Sequence, residues 1–217
     1  MNNTQQKLIS DYKKLAPFYD TDKSPVWQEV RDLLSVVKPE QSVLDIGCGT
    51  GRISQVLPQN CNYFGVDISN DLINLAKKKY PNRKFDVQDA LELNVVDSSY
   101  DAVLLIAVVH HFLNKEDRIK VLKKSYRALK PNGILYATVW NLNAPRYWKN
   151  WKGFRKVKMP NKHDPSIKRD YYAYALQGFK KELIEAGFKI NKIYYAKSHQ
   201  KDLSWRDGRN IVVVACK

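Results

Sequence analysis

Between Ser42 and Cys216 the chain alternates short apolar runs with helical patterns, and this alternation restricts the fold more than any other feature. The runs are SVLDIG, NYFGVDI, DAVLLIAVV, ILYATVW, FKINKIYY and IVVVAC; the helical stretches between several of them are NDLINLAKKKY, KEDRIKVLKKSYRALK and QGFKKELIEAG. Strands separated by helices cannot pair as hairpins, so the pattern predicts an α/β fold with a mostly parallel sheet covered by helices on both faces. Only the polar stretch AKSHQKDLSWRDGRN separates the last two runs, which are expected to form an antiparallel pair at the end of the sheet. Helical stretches around Thr4 to Leu15 and Trp27 to Val37 form an expected N-terminal cap over residues 1–37. The helix-stop chemistry of RALKPNG and EAGF marks where two helices should end.

At 217 residues the chain fits one domain with an elaboration. No apolar leader and no stretch of roughly 18 to 20 apolar residues is visible, so a soluble, cytoplasmic protein is expected, with no membrane role. Cys48, Cys61 and Cys216 are scattered and lack CxxC spacing, which predicts neither disulfides nor a metal site. The net charge of +15 points instead to a polyanionic partner. Residues 146–169 concentrate it, with nine Lys or Arg against the single Asp164. This segment belongs to an expected insertion, residues 142–176, between the fifth strand and the last helix, at the carboxyl edge where open α/β sheets bind ligands.

The loop after the first strand, VLDIGCGTGR, places Gly47, Gly49 and Gly51 where a backbone must turn sharply and approach a ligand, with a helix N-terminus expected to offer free N–H groups. Arg52 stands where a dinucleotide fingerprint needs its third glycine. Asp67 ends the second strand, where a carboxylate can accept from both hydroxyls of a ribose. Asp89 follows the third strand, within expected reach of an adenine amino group. Asp45, Asp67 and Asp89 thus close three successive strands beside one glycine loop. Cys48, Ile68, Ala90 and Ile106, on the same segments, complete the candidate cofactor contacts.

These segments resemble those of class I S-adenosylmethionine-dependent methyltransferases: VLDIGCGTG the first motif, GVDIS the acidic second, DALEL the adenine motif, YDAVLLIAVVHHF the fourth strand and ALKPNGILYATVW the fifth. The resemblance implies a Rossmann-like seven-stranded sheet with an antiparallel last strand, and S-adenosyl-L-methionine as cofactor. A narrower likeness spans nearly the whole chain. LAPFYDTDKSPVWQEVRDLL, IAVVHHF, ATVWN and RDYYAYALQGFKKELIEAGF are similar to tRNA wobble-uridine methyltransferases that esterify a carboxymethyl group, with Thr50 where that family carries Asn and Lys23 where it carries Arg. This likeness implies tRNA, through its anticodon loop, as a partner, Arg169 and Tyr171 as substrate contacts, and a small zinc-binding activator subunit.

Methyl transfer from a sulfonium is an in-line displacement that chiefly requires alignment, and an acceptor carboxylate with a pKa near ~4 needs no general base. His110 and His111, at the end of the fourth strand, are therefore expected to line and orient the acceptor rather than act as bases, with ordinary packing as the alternative. As adjacent strand residues they should point to opposite faces, which is unsuited to a shared metal. In the basic segment, Arg146, Lys149, Trp151, Lys152, Arg155 and Lys156 interleave cations with aromatic rings, as single-stranded RNA requires; a solvated face is the plainer alternative and a membrane surface a third. A small-molecule or lipid-like acid as acceptor and a non-catalytic subunit of the same fold also stay open.

Overall fold

The computed structural model describes residues 3–21 and 24–217. Seven strands, β1 (Ser42–Ile46), β2 (Asn62–Asp67), β3 (Lys84–Val87), β4 (Tyr100–Ile106), β5 (Leu129–Trp140), β8 (Lys189–Ala196) and β9 (Asn210–Cys216), form one sheet in the order β3-β2-β1-β4-β5-β9-β8. The first five are parallel to one another, and β9 runs antiparallel to both β5 and β8. A separate hairpin, β6 (Lys156–Pro160) with β7 (Lys168–Tyr172), arises from the insertion.

Both faces of the sheet are buried, which is why its strands read as unbroken apolar runs. On β4, Val103 and Leu105 join a cluster with Val121 and Leu122 of α4 (Lys115–Ala128) and with Phe179 and Leu183 of α5 (Leu176–Glu185). Ala102 and Leu104, between them in sequence, join the opposite cluster with Val30 and Leu33 of α2 (Gln28–Leu34) and Ile73 and Ala76 of α3 (Asn70–Lys79).

The departures from expectation have local causes. The first helix, α1 (Asn3–Thr21), continues past Leu15 and through Pro17, docked on α3, whose Lys79 Nζ donates to Tyr19 O at 2.9 Å. After the glycine loop only a 3-10 turn, Arg52–Val56, forms where a helix was expected; Leu57 is already extended and Pro58 follows. The turn-forming residues of LELNVVDSSY leave a single 3-10 turn, Ala90–Glu92, between β3 and β4. Helix α4 stops at Ala128 as RALK suggests, yet β5 begins at once, so Pro131 and Gly133 fall inside its first residues, where the register against β4 shifts.

A buried ion pair fastens the two helices on one face of the sheet. Arg118 on α4 meets Glu182 on α5 at 2.8 Å, and its guanidinium also donates to Phe112 O (3.2 Å) and Leu113 O (2.7 Å), just after the two histidines. Tyr174 OH donates to the same carboxylate, and the Arg118 guanidinium lies 3.6 Å from the Tyr172 ring centre. Removing one partner of a buried pair strands the other charge, at about 3–5 kcal/mol. Arg118→Met is therefore expected to lower unfolding stability by that amount in urea; an unchanged midpoint would show that the pair is dispensable.

Candidate active site

The glycine loop is built from left-handed residues. Gly47, at φ 74°, leaves no room for a side chain, since an added Cβ would sit 2.5 Å from Val108 Cγ2. Gly49, at φ 56°, has nothing within 4 Å of that position, so its open side is the one through which a ligand can approach the backbone. The loop's amides are mostly committed internally: Gly47 N and Cys48 N donate to Val66 O (2.7 and 3.0 Å), and Gly51 N donates to Cys48 O (3.0 Å). This corrects the expectation of a free helix N-terminus, because no α-helix follows the loop and its N–H groups close it on itself.

Asp67 holds that loop in place. Its Oδ2 accepts from Gly49 N and its Oδ1 from Ser69 N, both at 2.9 Å. A carboxylate keeps further lone pairs for hydroxyl donors. Removing it, however, would leave two loop amides unpaired as well as a ligand contact. Asp45 is buried one strand away, accepting from Tyr63 OH at 2.7 Å, and burial pushes its carboxyl up to about 7, with the nearby Asp67 adding to the effect against the Tyr63 bond. Asp89 caps the following turn through Leu91 N (2.9 Å) and also accepts from Gln5 Nε2, so α1 reaches across this edge. Cys48 is buried in the α2 and α3 cluster with its thiol pushed up by burial; Ile68, Ala90 and Ile106 are half-buried on the same edge. Gly49→Ala is expected to fold, at roughly 1–2 kcal/mol for a left-handed alanine, while cofactor affinity falls at least about tenfold. Calorimetry showing unchanged affinity would place the ligand elsewhere.

The histidines are not strand residues. Ala107, at φ 60°, turns the chain out of β4, with its N–H held by Thr138 O (3.0 Å), and His110 and His111 follow in a 3-10 turn, Val109–His111. In such a turn neighbouring side chains need not diverge, and the rings stack with centroids 5.0 Å apart instead of facing opposite sides of the sheet. His110 also packs on Trp140 (4.9 Å) and Tyr171 (5.5 Å), and His111 meets Tyr171 edge-on at 4.9 Å. Burial holds His110 well below the usual histidine range; His111 is pushed down to about 3, first by burial and then by the charge of Arg169. Both are neutral near pH 7. No group of three His, Cys, Asp or Glu side chains among the described residues is arranged to hold a metal.

Arg169 reaches this aromatic group from β7. It is 7% exposed, its guanidinium lies 4.1 Å from the Tyr12 ring centre, and Nε is 3.4 Å from Asp11 Oδ2 without hydrogen-bond alignment. Nε and Nη2 have no hydrogen-bond partner, nor has either ring nitrogen of His110. Burial pushes the Tyr171 hydroxyl up. Tyr12 and Asp11 belong to α1 and were not singled out in the sequence, where nothing marks that helix as reaching a pocket more than 150 residues away.

The basic segment divides by role. Lys149 and Lys152 are exposed. Arg146 instead donates to Arg206 O (3.2 Å) and Gly208 O (2.6 Å), Arg155 to Ala173 O (3.2 Å), and Lys156 pairs with Asp170 (3.2 Å). Trp151 is half-buried against Leu142, Val157 and Tyr171 and donates to Leu142 O (3.1 Å). Four of the six candidate RNA contacts therefore have internal duties. Lys23 lies outside the described residues.

Comparison with known proteins matches residues 44–137 to the family described as a methyltransferase domain. A putative methyltransferase of Encephalitozoon cuniculi is 32% identical over 159 residues, covering 70% of this chain and 71% of that protein. The chain belongs to the methyltransferase family. A probable tRNA methyltransferase 9B of mouse is 38% identical over 138 residues, 63% of this chain but 30% of that protein. A tRNA (carboxymethyluridine(34)-5-O)-methyltransferase of Arabidopsis thaliana is 32% identical over 129 residues, 59% of this chain and 31% of that protein. The chain thus matches less than a third of the length of these two relatives. In fold it is similar to a chain of the complex between the Haloferax volcanii Trm112 methyltransferase activator and a putative methyltransferase, with a TM-score of 0.74 at 17% identity over 96% of both chains.

The residues fit S-adenosyl-L-methionine, the cofactor that the sequence resemblance implies: the open side of Gly49 admits a close ligand, and the buried Asp45 carboxyl is one that a nearby cation would compensate. Asp45, Asp67 and Asp89 with the loop would hold it. When bound, it supplies an activated methyl group on a cationic sulfur.

Proposed function

We propose that this methyltransferase esterifies a carboxylate carried by the wobble uridine in a tRNA anticodon loop, in the cytoplasm. The observation that carries the reading is Arg169: a buried guanidinium with no hydrogen bond at Nε or Nη2, beside Asp11 (Nε 3.4 Å from Oδ2) and inside a box made by Tyr12, His110, His111, Tyr171 and Trp140. Such a group calls for an anion, and a carboxylate matches its planar fork. Pyrimidine rings stack on the aromatic walls of such a box. A carboxylate is ionised at neutral pH, so the two neutral histidines are needed only to shape and dry the pocket; with His111 at about 3, proton abstraction from an amine or hydroxyl would be poorly served. Holding donor and acceptor in line supplies on the order of 7–11 kcal/mol.

The names of the mouse and Arabidopsis relatives support tRNA as the substrate, and the Haloferax likeness, to a methyltransferase held in complex with its activator, supports an activator subunit as a partner; that it is small and zinc-binding is what the sequence resemblance implies. Incubation with labelled S-adenosylmethionine and total tRNA, with and without a co-expressed activator, should place the label in a base-labile ester on one nucleoside identified by mass spectrometry. Label in no RNA under either condition, with a small acid methylated instead, would replace this reading.

A further inference from the structure

A second site lies on the far side of the aromatic cluster, in a cavity of ≈ 650 Å³ between the 3-10 turn Pro145–Asn150, the start of α5 and the β8–β9 loop. Trp148, Trp151, Trp205 and Tyr195 line it. Trp148 and Trp205 are 56% and 38% exposed, with nearly parallel rings whose centroids are 6.3 Å apart. We infer that this groove binds an unpaired base of the RNA strand next to the one in the acceptor pocket, stacked on Trp148 and Trp205.

The groove is built rather than incidental. Trp148 Nε1 donates to Asn143 O (3.0 Å) and Trp151 Nε1 to Leu142 O (3.1 Å), so both indoles are fixed by their polar edges and their apolar surfaces are left to line the opening. The loop carrying Trp205 is clasped from below: buried Asn141 donates to Trp205 O (2.6 Å) and Gly208 O (2.9 Å), and Arg146 donates to Arg206 O and Gly208 O. Arg146 is thus a brace that sets the two tryptophans opposite each other. With centroids 6.3 Å apart and planes 25° from parallel, the two exposed rings present one aromatic wall on which a base can stack.

Charge selects the occupant. Lys149 and Lys152 flank Trp148 and Trp151 in sequence, and the Arg206 guanidinium lies 5.4 Å from the Trp205 ring centre, while the nearby Asp207 is engaged by Ser204. Rings for bases ringed by cations for phosphates suit a single strand of nucleic acid better than an apolar peptide. The groove also adjoins the proposed acceptor pocket, because Trp151 packs in the same cluster as Tyr171 and Trp140, which touch His110.

This inference rests on the tRNA reading, and the test separates the two. The full chain is titrated with an anticodon stem-loop RNA while tryptophan fluorescence and anisotropy are recorded. Wild type should bind with quenching. Trp148→Ala and Trp205→Ala should each raise Kd about 5- to 150-fold, the range for one stacked base, while S-adenosylmethionine affinity stays unchanged as a sign of correct folding; Trp205→Phe should recover most of the loss. Wild-type RNA binding that neither alanine variant weakens overturns the groove alone and points to a protein partner there. Failure of wild type to bind any RNA, at low salt and with the activator present, overturns both readings.

Discussion

Arg169→Lys is expected to lower kcat/KM for a carboxylate-bearing acceptor roughly 10- to 150-fold while leaving S-adenosylmethionine affinity within about twofold. Lysine keeps the charge but loses the fork, and a hydrogen bond to a charged group is worth about 1.5–3 kcal/mol. The arginine is placed for that duty by what surrounds it: Asp11, which it shares with Lys7, lies 3.4 Å from Nε and offsets part of its charge, Tyr12 covers one face, and Nη2 has no hydrogen-bond partner. Lysine is a better probe here than methionine, which would remove the charge together with the fork and so confuse the two contributions. Stopped assays across several acceptor concentrations separate the terms, and the loss should appear in KM if the carboxylate is gripped equally before and during transfer. Full activity in Arg169→Lys would remove the carboxylate reading. Because His110 and His111 are held below the range in which histidine normally titrates, neither should contribute an inflexion between pH 5 and 8 to the same profile.

Why was the geometry of the glycine loop legible in the sequence and that of the proposed acceptor pocket only in part? Glycines and acids in a short loop after an apolar run are fixed by local backbone demands: Gly47 has a side-chain clash and a positive φ, and the strand that ends in Asp67 sets where its carboxylate goes. Such constraints act over a few residues, so they survive being read in one dimension. The acceptor pocket is assembled from α1, the turn after β4, the end of β5 and β7, and only packing brings Tyr12 to Arg169. His110 and His111 were placed in the right region but with the wrong geometry, because the left-handed Ala107 ends the strand where the unbroken apolar run suggests it continues. In the basic segment composition misled in a more specific way. Arg146 looks like a ligand contact in a charge count, yet it spends its donors on backbone carbonyls, whereas Trp205, in the polar stretch between the last two strands, completes the groove that Trp148 and Trp151 line.

S-adenosylmethionine is expected to bind with release of a proton, its affinity falling by approximately tenfold for each pH unit below 7 and levelling above it. The cause is Asp45, buried and raised to about 7, so near pH 6 most molecules carry it protonated. A cationic ligand at this edge favours the carboxylate, and below pH 7 the free energy of removing that proton opposes binding. The neighbouring groups do not reverse the sign: Asp67 is also raised by burial, and Tyr63 and Cys48 are pushed above their usual ranges and remain neutral. The ligand's own amino group titrates near ~8, so the comparison with Asp45→Asn isolates the carboxyl: the variant should bind more weakly at pH 8 and lose the slope between pH 6 and 7. The unliganded fold gives an independent check of the sign. A carboxyl raised from 3.8 unfolded to about 7 folded binds its proton more tightly in the native state. The stability it contributes is therefore complete below about 4 and is lost as pH rises through 7, on the order of a few kcal/mol. Asp45→Asn should flatten that loss in urea titrations. Calorimetry of the wild type in buffers of different ionisation enthalpy reads the proton directly, and a binding enthalpy at pH 6.5 that does not depend on the buffer would show that Asp45 is already ionised before the cofactor arrives.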